Sequence, residues 1–122
     1  MAKNLEVDYQ RTYLERVSLE FRDRRFFRRN TGLIKLEDRM FRAGIPGQCD
    51  LYVLGRGGWH GEVELKRFGK LSEAQTKWRD WCRSWSIPWL LLEADKLELP
   101  PATIARWLEE TRAWLAASAG ES

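Results

Sequence analysis

Asp50-Leu51-Tyr52-Val53-Leu54-Gly55-Arg56-Gly57-Gly58-Trp59-His60-Gly61-Glu62-Val63-Glu64-Leu65-Lys66 is the stretch from which the fold is read. Its ends, Asp50 to Leu54 and Glu62 to Lys66, are strand-like runs, and the glycines of Gly55-Arg56-Gly57-Gly58 signal a hairpin turn between them. Side chains alternate faces along a strand, so Glu62, Glu64 and Lys66 project one way while Val63 and Leu65 project toward a core. Two acids and a lysine on one face are costly to gather for structure alone. Asp50 opens the neighbouring strand, close enough for its carboxylate and that of Glu64 to share a divalent cation.

The chemistry that such a trio serves is definite. Hard cations such as Mg²⁺ take oxygen ligands from one or two carboxylates, keep several waters and accept phosphate oxygens in the remaining positions. A cation so held lowers the pKa of bound water, stabilises charge on the phosphate and orients the leaving group. Lys66, two residues after Glu64, is placed to hold or activate an attacking water and to offset developing negative charge. The competing reading is an amphipathic surface strand whose Glu and Lys are solvated, because an acid-x-Lys tripeptide is common.

Around the tripeptide the chain runs Arg42-Ala43-Gly44-Ile45-Pro46-Gly47-Gln48-Cys49-Asp50-Leu51 and then Glu62-Val63-Glu64-Leu65-Lys66-Arg67-Phe68-Gly69-Lys70-Leu71-Ser72-Glu73-Ala74-Gln75. This resembles the VRR-NUC family of the PD-(D/E)XK nuclease superfamily, whose members share a Gly-x-Pro-Asp-like turn, a Glu-x-Lys strand and a Leu-Ser-x-x-Gln helix start. The resemblance runs from about Arg28 to Leu92. It implies an α/β, restriction-endonuclease-like core: a mixed central sheet flanked by helices. It also implies Asp50, Glu64 and the backbone carbonyl of Leu65 as ligands for Mg²⁺ or Mn²⁺, Lys66 as the catalytic lysine and Gln75 as a supporting catalytic-site residue. Cys49 stands where the superfamily name puts proline, a backbone-shaping position rather than a ligand. The activity implied is that of a metal-dependent DNA endonuclease, structure-selective toward branched DNA such as Holliday junctions, which suits a homodimer presenting two sites. In the family pattern a first-helix glutamate, followed four residues later by glutamine, reaches toward the metal. Glu6 and Gln10 match that spacing, with Glu15 and Glu20 as rivals on the same predicted helix.

Composition agrees with one domain over residues 1–122. At 14.4 kDa, with 43% hydrophobic residues and seven tryptophans, the chain can fill a core. Cys49 and Cys82 lack zinc-finger spacing and form no secreted disulfide framework, so reduced thiols in a cytoplasm are expected, and the family resemblance implies that of a bacterium or a phage-infected host. No apolar signal core follows Met1-Ala2-Lys3-Asn4, and nowhere do eighteen apolar residues run together, so neither export by that route nor membrane association is expected. No P-loop suggests a nucleotide cofactor.

Net charge is only +3, from 21 Lys and Arg against 18 Asp and Glu, but it is unevenly placed. Arg22, Arg24, Arg25, Arg28 and Arg29 crowd one segment, interrupted by Asp23 and the pair Phe26-Phe27. Such a block suits contact with DNA phosphates, or it is a solvated helix end. Arg28-Arg29-Asn30-Thr31-Gly32 also resembles a stretch preceding the catalytic turn in phage-type members of the family, which places these arginines on the DNA side.

Coarsely, the element order is helix, strand pair, helix, strand, helix. An amphipathic helix is expected from Glu6 to Arg24, a short strand over Phe26 to Arg29, and a polar loop with Gly32 leading to an extension at Arg39 to Phe41. Ser72 with Gln75 three residues later is a capping-box signature that starts a helix over Glu73 to Trp85. Ile87 to Leu92 reads as a buried strand, and Pro100-Pro101 opens a last helix. Trp78, Trp81 and Trp85 at helical spacing are expected in the core or at an oligomer contact rather than as a base-stacking platform. Trp107 and Trp114, one heptad apart, favour self-association. His60, the single histidine, is expected in the loop after the glycine turn, with a DNA contact as the second reading and no zinc site.

A non-catalytic DNA-binding or assembly module that kept the nuclease fold is the alternative function. Asp50, Glu64 and Lys66 together argue against it, because a module without catalysis has no reason to keep two phosphate-repelling carboxylates in a DNA cleft.

Overall fold

The computed structural model describes residues 5–29, 32–35, 37–66 and 69–119, without the side chains of 5–7, 32–35, 40–43 and 119. Tyr13 and Val17, four residues apart, face inward from the first helix, α1 (Leu5–Glu20), and Phe21 is buried just beyond its end. The helix stops short of the expected Arg24, because the chain turns at Arg22-Asp23 and extends as β1 (Arg24–Arg28), which brings Phe26 into the same core. Next comes β2 (Gly32–Lys35), paired antiparallel with β3 (Met40–Ala43) as a separate two-stranded sheet. The sequence reading of this segment as a loop with a short extension missed that pairing, since four-residue strands carry too few alternations to register.

The central hairpin forms as read. β4 (Leu51–Gly55) and β5 (His60–Lys66) pair antiparallel with Leu51 opposite Val63 and Leu54 opposite His60, around a tight turn at Arg56–Gly58. Gly61 of β5 has its Cβ position occupied by the Trp114 and Trp59 indoles at 2.5 and 2.7 Å, so a larger residue there would push the strand off the core. After α2 (Glu73–Ser84), β6 (Trp89–Glu93) runs parallel to β5 with Glu64 opposite Leu91, and α3 (Pro100–Ala119) closes the described chain. The result is a mixed α/β structure with a four-stranded mixed sheet in the order β1-β4-β5-β6 and three helices.

One sheet face is apolar. Phe26, Leu51, Val53, Val63, Leu65 and Leu92 pack there beneath α1 and α3, which contribute Tyr13, Val17, Ile104, Trp107, Leu108 and Leu115. The Tyr13 hydroxyl bonds the Thr111 hydroxyl at 2.8 Å, and Thr111 in turn donates to the Trp107 carbonyl, so the buried polar groups between the two helices are satisfied. Trp107 and Arg106 both donate to the Glu93 carbonyl and hold α3 to the end of β6. Trp107 is therefore a core residue, and Trp114 packs edge-on against Trp59 inside the same molecule. Trp107 is thus unavailable as the self-association contact expected from the spacing, and Trp114 is partly buried against Trp59.

The opposite face carries the polar residues, and α2 covers only part of it. β6 lies at the sheet edge, so of its residues only Leu92 is fully buried, contrary to the expectation of a wholly buried strand. Among the described residues no helix is long and apolar enough to cross a membrane.

Candidate active site

α2 begins at the site and is fixed there by its cap. The Ser72 hydroxyl accepts from the Gln75 amide at 3.1 Å, and the Gln75 side-chain oxygen accepts from the Ser72 amide at 2.8 Å. The same amide group then does two further things. Its nitrogen donates to Glu64 Oε1 at 2.9 Å, and its oxygen accepts from Lys66 Nζ at 3.4 Å. Gln75 thus ties the helix start to Glu64 and Lys66 of β5 and fixes their spacing. The turn before Asp50 is docked on the same helix: Gly47, at φ +87°, lies so close to the Ala74 carbonyl that a Cβ would sit 2.2 Å from it.

Asp50 sits immediately before β4, where its carbonyl accepts from the Arg29 amide at 2.8 Å and its Oδ2 accepts from the Leu65 amide at 3.3 Å. Glu62 donates its amide to Pro88, and Ala94 donates to the Lys66 carbonyl, so even-numbered residues of β5 address β6. The amide and carbonyl of Leu65 consequently open on the β4 side, toward Asp50. Glu64 is 3% exposed, and its Oε2 has no hydrogen-bond partner. Burial, and then the negative charge of Asp50, push its carboxyl up to about 8, while the Asp50 backbone amide, the Lys66 ammonium and the Cys49 thiol pull the other way. The Asp50 and Glu64 carboxyl groups are therefore close enough for the charge of one to disfavour ionisation of the other.

Glu62 shares this face but is differently served. Arg29 holds it with both guanidinium arms, at 2.5 Å to Oε1 and 2.8 Å to Oε2, while the Trp78 indole donates to Oε1 at 3.1 Å and His60 Nε2 meets Oε2 at 2.5 Å. With four contacts it is a fully partnered buried carboxylate, so its expected place beside Glu64 and Lys66 holds while its role is to join β1, β5 and α2. Arg29 also donates to the Cys49 carbonyl at 3.1 Å. It is thus turned inward and is not the phosphate contact expected of it. His60 opens β5 instead of lying in the loop, and it stacks in a row with Tyr52 and Phe27 on the part of the face that α2 leaves open. Sequence reasoning missed Arg29 and Trp78 as partners of Glu62. No local signal marks the pairing, because alternation places Glu62 on the face away from the apolar core and Arg29 lies thirty-three residues earlier.

The remaining arginines divide. Arg28 is exposed at the end of β1 paired with Leu51, beside Asp50, whereas Arg24 pairs with Gly55 at the far end, where it bonds Asp23 and lies over the Trp59 ring. Arg22 and Arg25 are exposed near Arg24 and line a cleft of about 560 Å³ with it. At about 3.3 Å per residue, Arg24 and Arg28 stand about 13 Å apart along the strand, so the block does not act as one patch. Glu6 lies in the first turn of α1, and its side chain is outside the described residues. Of its rivals, Glu15 is exposed and Glu20 pairs with Arg16 and Arg112. Trp78, Trp81 and Trp85 stack at 4.9 and 5.1 Å between centroids, but Trp81 and Trp85 are 40% and 67% exposed, so they are not core.

Among the described residues no three His, Cys, Asp or Glu side chains gather into a ready-made metal cluster. The donor set that could hold a cation is smaller: the Asp50 carboxylate, Glu64 Oε2 and the Leu65 carbonyl. A hard cation that keeps most of its waters needs no more than one or two carboxylates from the protein, and the buried, partnerless Glu64 oxygen is a position such an ion would satisfy. Comparison with protein-family models, with curated proteins and with solved structures finds no match for this chain.

Proposed function

We propose that this chain is a metal-dependent DNA endonuclease with a restriction-endonuclease-like core of the VRR-NUC type, using Mg²⁺ or Mn²⁺. The observation that carries the reading is the partnerless, buried Glu64 Oε2 facing Asp50 next to a lysine and a glutamine that are themselves fixed. A buried carboxyl pushed up to about 8 destabilises the fold near neutral pH, and a binding module has no use for that cost. When bound, the cation would supply an activated water and neutralise charge on the phosphate. The chain's own residues do the rest. Glu64 presents its oxygen from β5 and Asp50 from the residue just before β4, so the distance between them is set by the β4–β5 pairing that starts at Leu51 and by the Leu65 amide that holds Asp50 Oδ2. Lys66 is steered by Gln75 toward the same opening, where its ammonium stands to hold a water and to offset charge on the phosphate oxygens.

In this reading the protein works in a cytoplasm as a homodimer, and the exposed Trp81 and Trp85 are the natural contact between copies. Two sites related by a twofold axis suit cleavage of branched DNA such as Holliday junctions. The test is a panel of linear, nicked, flapped and four-way DNAs incubated with Mg²⁺ or Mn²⁺. Preferential cutting of the four-way substrate at symmetric positions is expected, and equal cutting of all four would remove the structure selectivity.

A further inference from the structure

On the side of α2 away from the tryptophans, a second basic feature adjoins the site. A cleft of about 360 Å³ is lined by Lys66, Lys70, Thr76, Arg79, Leu91 and Glu93, among others. Its shape follows from the helix register. Gln75 and Arg79 are one turn apart, so the face that delivers Gln75 to Glu64 and Lys66 also delivers Arg79 to the C-terminal end of β6. Lys70 reaches the cleft from the segment joining β5 to α2, where Gly69 turns at φ +88° with nothing near its Cβ position. Three cations meet one acid, Glu93, across the opening. Arg79 also bonds Asp80 at 3.2 Å, a contact between adjacent residues on the helix surface with Asp80 61% exposed.

We infer that this cleft binds a phosphate of the DNA strand next to the one being cut, with Lys70 and Arg79 as the contacting residues. The inference rests on the nuclease reading above and deepens it. Lys66 is the link: it belongs both to the cleft and to the Gln75–Glu64 network, so a strand whose scissile phosphate lies over Asp50 and Glu64 has its neighbouring phosphate within the cleft's mouth. The arginine block of β1 cannot serve that position. Arg29 is committed to Glu62, Arg22, Arg24 and Arg25 stand at the opposite end of the sheet, and Arg28 is on β1, the sheet edge opposite β6. Neutralising a strand phosphate here adds a salt-dependent term to affinity and fixes the strand's register on the site.

The test measures binding of a fluorescein-labelled DNA duplex by anisotropy over a range of salt, in EDTA and in a Glu64→Gln background, so that no cutting intervenes. Adding Lys70→Gln and Arg79→Gln together should weaken binding roughly tenfold and flatten the slope of log affinity against log salt by about one to two units. Arg16→Gln, a cation on α1 across the sheet, is the control and should leave both unchanged. An unchanged affinity and slope in the Lys70 and Arg79 double variant, with the parent binding normally and the wild type cutting, overturns this inference alone. If the parent shows no salt-dependent binding and the wild type no cutting, the nuclease reading falls and the inference with it.

Discussion

Arg29, just past β1, grips Glu62 of β5 through both carboxylate oxygens, at 2.5 and 2.8 Å, and the same arginine holds the Asp50 carbonyl with its amide and the Cys49 carbonyl with its guanidinium. The pair is buried, with side-chain exposures of 14% and 1%. It sets the distance between the strand that bears Glu64 and the segment that bears Asp50, so the geometry of the acidic pair depends on residues that do no chemistry.

Removing one partner of this pair leaves the other charge stranded. Arg29→Met should destabilise the protein by about 3–5 kcal/mol. Adding Glu62→Gln should recover part of that loss, because the uncompensated charge goes too. Urea denaturation of the two single variants and the double variant completes the cycle, and purely additive effects would deny the coupling.

Glu64 makes a prediction about pH. Its folded-state carboxyl stands at about 8, above the ordinary value of 4.5, so the folded protein holds a proton that the unfolded chain has released. Stability should therefore fall as pH rises from about 4.5 to about 8 and level off above that. Glu64→Gln abolishes this slope in EDTA, and the variant should exceed the wild type by about 2 kcal/mol or more above pH 8 while matching it near pH 5. Parallel pH profiles for the two proteins would show that Glu64 is not strained.

Lys66→Met keeps the apolar stem and removes the ammonium. Metal binding, followed by calorimetry, should persist while cleavage slows on the order of a hundredfold or more. Loss of both together would make Lys66 a structural residue, acting through Gln75.

Arg28 and Arg29, adjacent in sequence, should separate by experiment. Arg28→Ala should flatten the salt dependence of DNA binding by about one unit without touching stability, whereas Arg29→Ala should act on stability first. Equal effects of the two on binding would contradict the inward assignment of Arg29.

Trp81→Ser with Trp85→Ser removes the exposed part of the tryptophan stack. Light scattering should then find a monomer where the wild type is a dimer, with the fold intact by circular dichroism. A wild-type monomer at working concentration would remove the dimer from the account.

The hairpin and its alternation were legible in the sequence because strand period and glycine turn agree over seventeen consecutive residues, Asp50 to Lys66. The capping box at Ser72 and Gln75 was legible for the same reason: it is a local code. What escaped was long-range. Arg29 looked like one more surface arginine, since nothing in its neighbours says that a glutamate thirty-three residues later will need it. Trp78 and Trp107 share a residue type and a helical setting, yet one donates to Glu62 at the site and the other fills the core, a difference set by which sheet face each helix covers. The β2–β3 pair was too short for its period to be read.

Cleavage of DNA by the purified protein, with and without Mg²⁺, beside Asp50→Asn and Glu64→Gln, tests the central claim most directly. Both substitutions keep side-chain volume and remove one carboxylate. The account predicts divalent-dependent cutting by the wild type, none by either variant, and retained or tighter DNA binding by both in EDTA. Full cutting by the doubly substituted protein, or none by a correctly folded wild type with either cation on any substrate, would contradict it.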